Sequence, residues 1–158
     1  MIIFLDIDGI IATSKSYEYS IDLFDMHAIK ALNKLTDALN CEIVISSAWR
    51  ILYDIKELKE ILSNAGVKAK VVGITRNIAL FKDNRGKEIK EWLENHIAVK
   101  EYMVIDDEIS DIQNVIPVKN IIHIKDGFSE QGLTEEFVDK FIEEYKVSIA
   151  QLDRASAF

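Results

Sequence analysis

Short runs of apolar, often β-branched residues alternate along this chain with longer stretches in which apolar residues recur every three or four positions. Alternation of those two periods predicts an α/β domain built on a mainly parallel sheet of about five strands. Ile2–Leu5 and Glu42–Ile45 are nearly continuous apolar runs, the pattern of strands covered by helices on both faces, and they are the candidate central strands. Residues 70–73, 102–105 and 120–124 are the other strand candidates. Met26, Ile29, Leu32, Leu35 and Leu39 fall on one helical face behind Asp25, a side chain suited to capping a first turn. Ile55, Leu58, Ile61 and Leu62 form a second stripe, which stops before Gly66 in the position where a left-handed residue ends helices. Ile89, Trp92, Leu93 and Ile97 make a third. A last helix is expected from about Thr134 to about Lys146, with Glu135 and Glu136 in its first turn, where the helix dipole favours negative charge. Without repeats or low-complexity linkers, residues 1–147 read as one domain and 148–158 as a tail or a helix extension.

In open α/β sheets ligands bind beyond the carboxyl ends of the strands, so the polar residues at those ends carry the functional information. The first strand runs into Asp6-Ile7-Asp8-Gly9, the second into Ser46-Ser47-Ala48-Trp49-Arg50, and the fourth into Asp106-Asp107-Glu108. If those three strands are neighbours, as many as four carboxylates meet one or two hydroxyls. Clustered carboxylates repel unless a cation holds them, and hard oxygen ligands select Mg²⁺, which shares its coordination with phosphate. The constellation reads as a magnesium site for phosphoryl chemistry.

Charge narrows the partners. With 19 Lys and Arg against 27 Asp and Glu, the chain of 158 residues carries a net charge of -8, which argues against a nonspecific nucleic-acid coat while leaving a local basic site open. The single cysteine, Cys41, has no disulfide partner and reads as a small core residue. His27, His96 and His123 read as structural. No apolar run reaches the length of a membrane span and Met1 leads directly into the first strand, so neither a leader nor an anchor is expected and the expected location is cytoplasmic.

Phe4-Leu5-Asp6-Ile7-Asp8-Gly9 resembles the DxDG signature of the haloacid dehalogenase (HAD) superfamily, and Val44-Ile45-Ser46-Ser47 resembles its second motif, an apolar strand ending in Ser or Thr. Val104-Ile105-Asp106-Asp107 is similar to the fourth motif, and Arg85-Gly86-Lys87-Glu88-Ile89 supplies a candidate third-motif cation, either Arg85 or Lys87. The combination with Trp49-Arg50 is most similar to the small HAD domains of Swiss army knife RNA repair proteins. That resemblance implies a three-layer, Rossmann-like, Mg²⁺-dependent phosphatase. In it Asp6 attacks phosphorus to form an aspartyl-phosphate, and Asp8 protonates the leaving oxygen and then activates water. Ser46 hydrogen-bonds a phosphoryl oxygen, while Ser47 and Arg50 are candidate substrate contacts. Mg²⁺ is held by Asp6, the Asp8 backbone carbonyl and Asp106, with Asp107 as a further ligand and Asp111 as the alternative second acid. Trp49 reads as packing. A carboxylate approaching a phosphate at about 4 Å is opposed by roughly 4 kcal/mol per charge pair at an effective dielectric near 20, so cations are required.

Neither the segment between the first and second motifs nor that between the second and third has room for a folded cap, which makes the domain capless and its site open. Residues 10–24, with Lys15, Tyr17 and Tyr19, and residues 74–84, with Arg76 and Lys82, would flank the entrance. By resemblance, an open site implies a phosphorylated RNA or DNA end as substrate, without membrane association and without an obligate protein partner. The alternatives are a catalytically silent HAD-like binding or regulatory domain and a small-metabolite phosphatase. A receiver-like switch fits less well, because too little chain follows Asp106-Asp107 and Asp8 has no role in it.

Overall fold

The computed structural model describes residues 1–19, 23–78, 84–129 and 131–156, with the side chains of Glu18 and Tyr19 outside the description. Five strands, β1 (Ile2–Leu5), β2 (Glu42–Ile45), β3 (Val71–Ile74), β4 (Tyr102–Asp106) and β5 (Ile121–His123), form one sheet in the order β3-β2-β1-β4-β5. All its pairings are parallel. The helices are α1 (Ser14–Tyr19), α2 (Met26–Leu39), α3 (Ile55–Asn64), α4 (Arg85–Asn95) and α5 (Glu135–Ser156).

Parallel strands covered on both faces have no side left for water, and the side chains of the central strands divide accordingly. Ile3 and Leu5 join Ile43, Ile45, Met103 and Ile105 on the face packed by α2, α3 and α5. Ile2, Phe4, Val44 and Val104 pack on the other face beneath α4 and residues 109–116. Phe4 meets Trp92 of α4 edge-on, with ring centroids 5.3 Å apart. The result is the three-layer arrangement that the run pattern predicts.

Local chemistry sets the helix ends. Asp25 caps α2 by accepting from the backbone N–H groups of His27 and Ala28. Asp54 and Glu57 form a reciprocal capping box on α3, and Gly66, at φ +97°, follows its end. Lys30–Glu135 at 2.8 Å and Lys34–Asp139 at 2.5 Å tie α2 to α5.

Several boundaries differ from the sequence reading. The third strand starts one residue later than expected and the fifth is shortened at both ends, because pairing to β2 and β4 rather than composition decides which residues join the ladder. Ile97 lies beyond α4 and is 78% exposed, so it belongs to no buried stripe. Helix α5 continues through Ser156, past the expected stop near Lys146, since no Gly or Pro interrupts residues 135–156. The loop expected after the first strand contains α1, whose start is closed by Thr13 and Ser16: the Thr13 N–H donates to Ser16 Oγ at 2.8 Å.

Candidate active site

Strand register alone brings three of the motif residues together. Leu5 is paired with Ile45 on one side and Ile105 on the other, so the next residues, Asp6, Ser46 and Asp106, stand side by side at the carboxyl edge of the sheet. Backbone bonds continue that alignment: Asp6 N–H donates to Ile105 O and Ser46 N–H to Leu5 O, each at 3.0 Å. Immediately after, the chain must turn away from the strand. Gly9 makes that turn at φ +76°, and a Cβ there would lie 2.1 Å from Asp107 Oδ2. Only glycine lets the first loop pass so close to the Asp107 carboxylate.

Asp6, Asp106 and Asp107 each present a carboxylate oxygen, and these atoms lie within 4.8 Å of one another. Asp6 and Asp106 are buried, and Asp107 is half-buried. Arg85, the first residue of α4, bridges two of them, with Nη1 donating to Asp6 Oδ2 at 3.1 Å and to Asp106 Oδ2. Other oxygens are held by the backbone: Ile7 N–H donates to Asp6 Oδ1 at 2.8 Å and Glu108 N–H to Asp106 Oδ1 at 3.0 Å. Burial, added to the nearby Asp6 charge and only partly offset by Arg85, pushes the Asp106 carboxyl up to about 7. Burial and Asp6 also raise Asp107. Burial works against the Arg85 charge, but Asp6 and Asp106 outweigh it and hold the guanidinium above its ordinary range.

Asp8 faces a different environment. Trp49 Nε1–H donates to its Oδ2 at 3.0 Å and the Tyr17 hydroxyl to its Oδ1 at 3.2 Å. Burial raises its pKa despite the opposing Trp49 bond. The Ser46 side chain is fully buried and its hydroxyl is unpartnered among the described residues, so it keeps both donor and acceptor capacity for a ligand.

The remaining candidates fall elsewhere. Lys87 is exposed and does not join the carboxylates; of the two candidate cations, Arg85 reaches them, because residues two apart on a helix point to different faces. Arg50 is neither a surface ion pair nor a free substrate contact. Its side chain is 6% exposed, donating from Nη1 to the Ser46 and Ser47 carbonyls at 2.5 and 2.6 Å and pairing through Nη2 with Glu88, itself 3% exposed. Ser47 is also buried, and its hydroxyl accepts from Trp49 N–H at 3.3 Å as a cap on the 3₁₀ turn Ala48–Ile51. Asp111 closes the start of α4, accepting from Gly86 N–H at 3.1 Å, and is not in the carboxylate cluster. Arg76 pairs with Glu91 at 2.6 Å. Lys15 is exposed, and Lys82 lies outside the described residues.

Sequence reasoning missed Glu88 and the polar role of Trp49. Glu88 had a local signal: it lies three residues after Arg85, which places both on one side of α4, and its Oε1 also accepts from Ile78 N–H at 3.0 Å. Trp49 had none, since its contact with Asp8 spans 41 residues.

A parallel sheet with Asp-x-Asp at the tip of its central strand, a hydroxyl and a carboxylate at the flanking tips and an arginine from a helix start defines a HAD-like hydrolase fold. More narrowly, the chain belongs to the family described as the HAD domain in Swiss Army Knife RNA repair proteins, whose family model matches residues 2–138. Comparison with curated proteins and with solved structures gives no significant match. Among the described residues no helix is long and apolar enough to cross a membrane.

Proposed function

We propose that this domain is a Mg²⁺-dependent phosphomonoesterase that works through an aspartyl-phosphate on Asp6. The observation that carries this reading is the pairing of Asp6 with Arg85 beside an acid, Asp8, whose raised pKa suits it to hold a proton. The oxygen-only donor set of Asp6, Asp106 and Asp107 fits a hard divalent cation. Those residues, with the Asp8 backbone carbonyl, would hold Mg²⁺, which supplies positive charge to the phosphoryl oxygens when bound.

The chain's own residues then act in two steps. Asp6 forms a bond to phosphorus as the ester P–O bond breaks, and Asp8 gives its proton to the leaving oxygen. Asp8 next takes a proton from water as that water bonds to phosphorus and the Asp6–phosphorus bond breaks, which restores both residues. Arg85 holds Asp6 in place and offsets the charge that gathers on the phosphoryl group, while the Ser46 hydroxyl is free to bind a phosphoryl oxygen.

A phosphorylated RNA or DNA end is the proposed substrate. The family's association with RNA repair supports it, as does the lack of a second domain over the site among the described residues. Turnover of p-nitrophenyl phosphate, abolished by chelation and restored by Mg²⁺, tests the chemistry. A panel of phosphorylated oligonucleotides and sugar phosphates tests the substrate: a sugar phosphate hydrolysed far more efficiently than every oligonucleotide end overturns that part.

A further inference from the structure

We propose that Trp49 is a positioning residue for the acid–base step: with Tyr17 it divides the Asp8 carboxylate, anchoring Oδ2 as a permanent acceptor and leaving Oδ1 to exchange the proton. The proposal rests on the phosphatase reading of the site. An indole N–H donates and cannot accept, so the Asp8 oxygen 3.0 Å from Trp49 Nε1 has to remain an acceptor whether Asp8 is charged or neutral. The carbonyl oxygen of a neutral carboxyl is a better acceptor than its hydroxyl oxygen, so the indole bond favours the proton on Oδ1. The Tyr17 hydroxyl, 3.2 Å from Oδ1, can donate to a carboxylate or accept from a carboxyl, so it is compatible with both states.

The two partners also differ in rigidity. Trp49 is 8% exposed and packs between Phe24 and Tyr53, with ring centroids 5.5 and 5.8 Å away. Its turn is capped by Ser47 and tied down by Arg50, which donates to the Ser46 and Ser47 carbonyls. One buried assembly therefore holds both the backbone that carries Ser46 and the Oδ2 side of Asp8. Tyr17, by contrast, is 44% exposed on the six-residue helix α1, so its hydroxyl is the contact that gives way when a leaving group approaches Oδ1 from solvent. In that approach the Oδ1–H bond breaks, the proton passes to the ester oxygen as its bond to phosphorus breaks, and Oδ1 is later reprotonated by the attacking water.

Packing alone would be served by any aromatic ring, which gives a clean test in the 158-residue chain. Trp49→Phe keeps a ring between Phe24 and Tyr53 and removes the N–H. A nitrophenolate leaves without a proton, whereas an alkoxide needs one, and general-acid help is typically worth about 10²–10⁴-fold. Loss of the Asp8 anchor is expected to raise the ratio of kcat/KM for p-nitrophenyl phosphate over an alkyl phosphate by about tenfold or more, with folding confirmed by thermal melting. A ratio within about twofold of wild type, with folding intact, overturns the proposal. An independent readout is the Trp49 indole N–H resonance, assigned by its loss in Trp49→Phe. Asp8→Ala should shift it and leave that of Trp92 in place, and an unmoved Trp49 resonance overturns the contact. A wild-type protein that hydrolyses neither ester removes the phosphatase reading, while the resonance still decides separately whether Trp49 holds Asp8.

Discussion

Arg50→Met isolates the buried strut behind the site. In the native protein the Arg50 and Glu88 side chains are 6% and 3% exposed, and Arg50 also satisfies the Ser46 and Ser47 carbonyls. Methionine fills much of the same space but leaves Glu88 buried with, among the described residues, only the Ile78 N–H to hold its charge. Removing one partner of a buried ion pair costs about 3–5 kcal/mol. The Ser46 carbonyl loses this donor, which adds about 1–3 kcal/mol, less where water enters, whereas the Ser47 carbonyl keeps the backbone N–H of residue 50 at 3.2 Å. A loss of at least about 4 kcal/mol is expected, a large share of the 5–15 kcal/mol typical of a domain. Urea denaturation monitored by tryptophan fluorescence measures it from the midpoint and slope. The double variant Arg50→Met, Glu88→Leu, which removes both charges, should recover a substantial part of that loss. A single variant within about 1 kcal/mol of wild type would refute the assignment of Arg50 as a structural strut and return it to the surface as a substrate contact.

Arg85→Ala should lower kcat by about 10²-fold or more, whereas Lys87→Ala should change it by less than about threefold; steady-state assay of both variants decides which cation serves the site. Mg²⁺ affinity measured calorimetrically should rise as the pH is raised through about 7, with proton release on binding, because the metal-free Asp106 carboxyl holds its proton up to that range. The same raised pKa means that the folded metal-free protein binds this proton more tightly than the unfolded chain does. Its contribution to stability is therefore lost as pH rises from the ordinary 3.8 to about 7, and a melting series without metal checks that direction. Gly9→Ala sets a Cβ against Asp107 in a left-handed turn that itself costs about 1–2 kcal/mol; it should weaken Mg²⁺ binding as well as stability, and unchanged calorimetric affinity would contradict the close approach.

The parts of the site that could be read from the sequence are those fixed by strand ends. Asp6, Ser46 and Asp106 each follow an apolar run, and once the three strands pair in parallel their positions are set by register. Asp25 and Gly66 were legible for a similar reason, since capping chemistry acts within one helical turn. What escaped was set by packing between distant segments. Arg50 has one appearance in sequence whether it meets solvent or Glu88, 38 residues away. Trp49 looks like packing, and it does pack, yet its nitrogen is aimed at Asp8 across the loop. The choice between Arg85 and Lys87 depended on the rotation of α4, which is set by Ile89 and Trp92 docking on the sheet.

The most direct test of the central claim is a search for the covalent intermediate. Asp8→Asn protein is mixed with p-nitrophenyl phosphate and Mg²⁺, quenched in acid and mapped by peptide mass spectrometry. A phosphoryl group on the peptide carrying Asp6, absent when Asp6→Asn is added to the same variant, is the predicted result, because the first step needs only Asp6 with this leaving group while the second needs Asp8. Turnover that survives Asp6→Asn with no phosphorylated peptide would contradict the account.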